Sequence, residues 1–476
     1  MIEAAARPAG RMPQGKGAAA VTRDLTKGPV GRTMLLFSLP LIAGDLLQQC
    51  YNVADTLIVG RVLGPAALGS VGAAYSLMTF LTSILLGLAL GSGAVFSMAW
   101  GKQDEEAWRQ SMFTAFVLIG ALAAALTAGS FVFLEDILRL LQVPAENLEL
   151  MRRYLFGVFF GIPATFLYNF FACALRAVGD SAAPLAVLGA AAVVNIGLDL
   201  LFVAGLGLGV EGAAGATVLA QYLAGAALAV WTLARLPALR RGWRGALSLA
   251  GAGRILRFSL LTCAQQSVMN FGILLVQGRV NSFGPAVMAA FAAGVKIDTF
   301  AYLPVQDFGN AFSTFVAQNY GAGEFGRIRR GMKTAVAGAA GFSVLLSALV
   351  CLFARPLMGL FVDAAEGEIL DIGVGYLRVE GAFYIGIGCL FLLYGLFRAV
   401  EMPAVSLVLT VISLGTRVAL AYSLSALPAV GVAGIWWSVP IGWFLADAAG
   451  FGLFFARRRA IEQKLAARPA EKEVPA

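Results

Sequence analysis

Three carboxylates, Asp55, Asp199 and Asp298, lie inside stretches that are otherwise apolar. An ionisable group there is costly unless paired, hydrated or neutralised, so each reads first as functional. Gln48, Asn52 and Asp55 follow i, i+4, i+7 spacing and share one stripe of a helix. A polar stripe on an apolar helix points to a watery cavity. Asn195 and Asp199 stand four apart, so an amide and a carboxylate stack on one face, and Gly197 admits a close neighbouring helix. Desolvation penalises the charged form of a lone carboxylate, and a second one nearby adds to that penalty. Such a pair can take up and release a proton near neutral pH. The same oxygens, joined by an amide and a hydroxyl, suit sodium equally well. The residues leave both ions open, along with a purely structural interhelical hydrogen bond.

A second polar set follows later in the chain. Gln265, Gln266, Asn270 and Gln277 fall on one apolar stretch, and Lys296, Asp298 and Asp307 on the next. Lys296 and Asp298 are two apart and do not share a helix face, so each needs another partner or water. Cavity lining and interhelical bonding are both open for this set. Pro40 and Pro304 each remove a backbone hydrogen bond and are expected to bend their helices. A bend at Pro40 could carry Asp55 in or out of water and act as a gate. The chain has no histidine, which removes histidine catalysis, histidine metal ligands and histidine proton relays together. Its five cysteines sit in apolar helices without metal-type spacing and read as small packing residues.

The elements that must position these groups are membrane spans. Hydrophobic residues make up 59% of the chain and charged ones 13%, with a mean hydropathy of +0.81. Twelve apolar runs are each long enough to cross the hydrocarbon layer as a helix. The expected fold is therefore all-α and polytopic, with twelve transmembrane helices. Most basic residues fall in the two tails and the even-numbered connections, which places both termini in the cytoplasm. The net charge of +8 is then mostly topology, and nucleic-acid binding is not expected. No signal peptide is evident. The expected division is a disordered N-terminal tail over 1–33, an N-lobe of six spans over 34–234, and an Arg-rich cytoplasmic linker over 235–253. A C-lobe of six spans over 254–456 and a cytoplasmic tail over 457–476 follow.

The two lobes are a repeat. Gly64-Pro65-Ala66 returns as Gly284-Pro285-Ala286, and Arg176-Ala177-Val178 as Arg398-Ala399-Val400. Gly209-Val210 with Gly212 returns as Gly431-Val432 with Gly434. Such duplication suggests two bundles with a cleft between them. The carboxylates were not duplicated: Asn195 matches Arg417, Asp199 matches Ala421, and the position matching Asp55 is apolar. An ion site confined to the first lobe would require that asymmetry, whereas packing would not.

Several motifs carry a family resemblance over about 30–456. They are Leu39-Pro40, Tyr51-Asn52-Val53-Ala54-Asp55, Arg176-Ala177-Val178-Gly179-Asp180-Ser181 and Gln318-Asn319-Tyr320-Gly321-Ala322-Gly323-Glu324. In these the chain resembles the multidrug and toxic compound extrusion (MATE) family, and most closely its archaeal and DinF-type members. The resemblance implies two six-helix lobes related by a pseudo-twofold axis that open alternately to the two sides. It implies export of small organic, often cationic or amphipathic compounds coupled to H⁺ or Na⁺; the inner membrane and a functional monomer are expected. It also implies an N-lobe cation or proton site at Asp55, Asn195, Asp199, Thr217 and Tyr154. NorM-type members place a coupling carboxylate on the seventh span, where this chain has none. No cofactor is expected beyond the coupling ion, and no metal beyond Na⁺. The alternative within the superfamily is a lipid-linked oligosaccharide flippase, which calls for more cavity arginines than Lys296 and Arg417 supply. An enzyme is not expected, because no nucleophile motif or soluble domain is present.

Overall fold

Apolar runs with few charges leave the backbone no partner but itself, and the chain answers with helices throughout. A computed structural model describes residues 23–140, 145–240, 247–363 and 365–466. The first half forms α1 (Val30–Leu63), α2 (Pro65–Gly101), α3 (Glu105–Val132), the short α4 (Leu134–Leu140), α5 (Ala145–Phe159), α6 (Ile162–Ala177), α7 (Ala182–Asp199) and α8 (Gly209–Arg235). The second half repeats that order as α9 (Leu249–Asn281), α10 (Pro285–Ala322), α11 (Phe325–Leu352), α12 (Ala354–Met358), α13 (Gly367–Gly381), α14 (Tyr384–Ala399), α15 (Pro403–Leu424) and α16 (Ala433–Ala466). The duplicated Gly-Pro pairs open α2 and α10, with proline at the first helical position where its missing N–H costs nothing.

Among the described residues, ten helices are long and apolar enough to cross a membrane unaided. Two further spans are bent pairs, α5–α6 by 42° and α13–α14 by 49°, which brings the total to the expected twelve. The protein is a multi-pass all-α membrane protein, without strands among the described residues. The two broken pairs fall at matching places in the two repeats, the first with Pro163 at the start of α6. Both α1 and α10 run unbroken through Pro40 and Pro304.

Two compact units emerge, with boundaries that differ from the expected lobes. One takes the chain to Asp24 and Leu39–Cys263, the other Leu25–Ser38 and Ala264 onward. Both α1 and α9 therefore change unit partway along, at Ser38–Leu39 and at Cys263–Ala264. The reason is local for α9. Gly87 and Gly91 of α2 let the α9 backbone approach so closely that a Cβ at Gly87 would clash with Cys263 and one at Gly91 with Phe258 and Ser259. Ser259 Oγ then donates to Leu88 O at 3.0 Å.

The expectation of a disordered tail over 1–33 is corrected for its last eleven residues; residues 1–22 lie outside the described ones. The buried Arg327 guanidinium donates to the carbonyls of Leu25 (3.1 Å), Lys27 (3.0 Å) and Gly28 (2.7 Å). Gln318 accepts from Leu25 N at 3.2 Å, and α1 opens at Val30. The Gln318-Asn319 pair of the family motif thus anchors the start of the chain within the second unit. At the other end α16 continues to Ala466, past the expected start of the tail at 457, and residues 467–476 lie outside the described ones. Of the linker, Pro237–Arg240 forms a 3₁₀ turn and 241–246 lie outside the described residues.

Candidate functional site

The first unit assembles its polar groups from three helices. At its start, α7 is set by Gly179 and Asp180. Gly179 adopts φ +90, a left-handed conformation that suits glycine, and its carbonyl accepts from Arg23 N at 3.2 Å. Asp180 Oδ1 accepts from Ala182 N and Ala183 N, at 3.2 and 3.0 Å, so it serves the helix end as its place in the sequence suggests. At its far end α7 carries Asn195 and Asp199 on one face, both buried, with Asp199 0% exposed. Directly after Asp199 the chain widens into a π-helical turn over Leu200–Gly205, a distortion frequent at functional sites.

Alongside α7 runs α1, where Gly44 meets Leu185 and Leu188, and Leu47 meets Gly189. That packing carries the half-buried Asp55 to α7, with its carboxyl group within hydrogen-bonding reach of Asp199. Neither oxygen of Asp199 nor Oδ1 of Asp55 meets a donor, and both polar atoms of the Asn195 amide are unpaired as well. Tyr154 of α5 and Tyr51 of α1 stand beside the pair. Two acceptor-only groups pressed together in a dry site are unfavourable until something positive comes between them. A shared proton or one small cation supplies that charge, and the surrounding oxygens suit either.

Thr217 is half-buried on α8, a helix packed along α7, and makes no hydrogen bond to either carboxylate. Gln48 lies next to Tyr51, and Asn52 is half-buried one turn from Asp55.

In the second unit the expected cavity residues separate. Lys296 is exposed, while Asp298 is buried on the opposite side of α10. Gln265 is buried, and Asn270 Nδ2 donates at 3.0 Å to Gln266 O of its own helix, which satisfies it locally. Asp298 instead joins a cluster that sequence reasoning missed. Glu380 and Tyr376 of α13, Tyr384 of α14 and Arg417 of α15 gather around it. Asp298 Oδ1, Glu380 Oε2, Tyr384 Oη and Arg417 Nε are buried without hydrogen-bond partners. Glu380 carried a usable signal, since it is an acid within the apolar stretch 376–397 beside the break between α13 and α14. Arg417 occupies the place that Asn195 has in the first repeat, so a fixed positive charge sits in one unit where the other has a neutral amide. No group of three or more His, Cys, Asp or Glu side chains forms a metal cluster among the described residues.

A family model described as MatE matches residues 40–201 and 259–423. The probable multidrug resistance protein YpnP of Bacillus subtilis (strain 168) is 30% identical over 399 residues, covering 82% of this chain and 87% of that protein. The FAD transporter of Shewanella oneidensis is 26% identical over 446 residues, covering 88% of this chain and 92% of that protein. A MATE crystal structure in the bent conformation superposes with a TM-score of 0.87 at 23% identity, covering 96% of this chain and all of that one. At that identity the likeness bears on the fold alone.

Proposed function

The chain belongs to the MatE family, and on that premise we propose an antiporter that exports small organic, often cationic or amphipathic compounds in exchange for H⁺ or Na⁺. The relative named as a multidrug resistance protein supports the substrate class. The juxtaposition of Asp55 and Asp199 without a counter-charge carries the coupling argument. An entering cation neutralises the pair and lowers the cost of keeping it dry. Asn195 and Tyr154 add polar groups at the same place, and Thr217 borders it on α8. These five residues favour the archaeal and DinF-type branch.

Alternating access follows from differential binding: the ion stabilises one state, the substrate the other. The helix that bears Asp55 belongs in part to each unit, so hydration changes at Asp55 act on an element shared by both. The basic connections favour the inner membrane with both termini cytoplasmic, and the site needs no second copy, which favours a monomer.

The test is reconstitution into vesicles with a proton gradient and a sodium gradient imposed separately. Efflux is followed with a fluorescent organic cation and, in parallel, with FAD, because one relative is an FAD transporter. One gradient should drive concentrative export of at least one compound. Movement of a labelled lipid-linked oligosaccharide with no response to either gradient would overturn the reading in favour of a flippase.

A further inference from the structure

Asp447 lies near the middle of the Ala433–Arg457 span of α16 and is 6% exposed. Its Oδ1 is buried and meets no hydrogen-bond donor. It belongs to neither cluster described above, and among the described residues no basic side chain or second carboxylate acts on it. One turn further on, Gly450 seats α16 between Leu393 of α14 and Leu409 of α15, so this face of the helix looks into the α14–α15 groove. The titratable groups facing Asp447 there are Cys389 and Tyr394 of α14. The α15 groups recorded beside Tyr394 are hydroxyls. Ser406 Oγ donates to Tyr394 O at 3.0 Å, and Thr410 lies beside the Tyr394 phenol. Further along, the Cβ of Arg417 packs against Gly442. On the α13 side Glu380 and Tyr376 belong to the Asp298 cluster, with Tyr376 packed on Trp436 near the start of α16. The repeat places Gly225 at the matching position of the first unit, against Leu167 and the Ala164 carbonyl, where no acid exists.

A lone ionised carboxylate in a dry bundle, away from any cation, is costly. A buried carboxylate with a phenol and a thiol near it, and one oxygen without a donor, is a preformed place for a single positive charge. We propose that Asp447 is a separate monovalent-cation site of the second unit, occupied by an exchangeable proton or sodium ion. Tyr394 and Cys389 stand near it. The site stands independently of the Asp55–Asp199 pair, since its occupancy is read by binding chemistry rather than transport.

The experiment is labelling of the purified full-length protein with dicyclohexylcarbodiimide, which modifies protonated carboxyl groups in apolar surroundings. The peptide containing Asp447 is quantified by mass spectrometry. Asp447→Asn sets the background, and Cys389→Ser excludes reaction at the thiol. For a proton site, labelling of Asp447 falls as pH rises, by about tenfold per pH unit beyond its midpoint. For a sodium site, labelling at fixed pH falls severalfold with NaCl and not with choline chloride. Absence of label at every pH, or labelling that neither pH nor Na⁺ changes, would overturn the proposal. Labels on peptides containing Asp55 and Asp199 report the first site in the same sample, so failure of one reading is distinguished from failure of the other.

Discussion

Asp55 and Asp199 face each other from α1 and α7 with no basic side chain between them, and three of their four carboxyl oxygens are buried without a donor. Asp55→Asn and Asp199→Asn should therefore each abolish gradient-driven efflux, by tenfold or more, while leaving the protein in the membrane. Replacing a desolvated acid by its neutral isostere removes a charge the bundle must tolerate, so both variants should melt no lower than wild type. Vesicle efflux and a thermal shift on the same preparations check this. Wild-type transport in either variant would refute the assignment.

Arg417 is the cation nearest Asp298 and Glu380, and removing it leaves two buried acids uncompensated. Arg417→Gln should cost about 2–4 kcal/mol, and Arg417→Gln combined with Glu380→Gln should recover most of that. A double-mutant cycle by chemical denaturation measures the coupling. Additive losses would mean that Arg417 and Glu380 do not interact.

Arg327 and Asn319 hold the same carbonyl, that of Leu25, each at 3.1 Å. Arg327→Ala should loosen residues 25–28, expose Lys27 to trypsin and lower stability by about 2–3 kcal/mol. Arg327→Lys should rescue only in part, because one ammonium cannot reproduce the fork that reaches three carbonyls. Limited proteolysis and melting curves read both variants, and unchanged cleavage at Lys27 would count against the anchor.

Gly91 sets the approach of α2 to α9, where an added side chain would press into the Phe258–Ser259 backbone. Gly91→Val should abolish recovery of monodisperse protein. Gly253→Ala, a position with open space around it in α9, should be neutral or stabilising by about 0.5–1 kcal/mol. Size-exclusion profiles of the two variants compare the outcomes.

The amino-acid sequence by itself determined the number of spans, the duplication and the three acids Asp55, Asp199 and Asp298 within apolar stretches. Apolar run length and i, i+4 spacing are local properties that need no contact to be read. Asn195 and Asp199 shared a helix face by arithmetic alone. Only tertiary structure decided which distant groups meet. It put Asp55 against Asp199, and gathered Glu380, Arg417 and Asp298 from three helices. It also turned Lys296 outward although Asp298, two residues on, is buried. The Gln318-Asn319 motif looked like a family signature and proved to be a clamp on Leu25, because its partners lie almost three hundred residues earlier in the chain. Two spans are broken at 159–162 and 381–384, while α1 and α10 stay helical through Pro40 and Pro304. At the first break Pro163 stands in the opening turn of α6 and has no N–H to give to the turn before it.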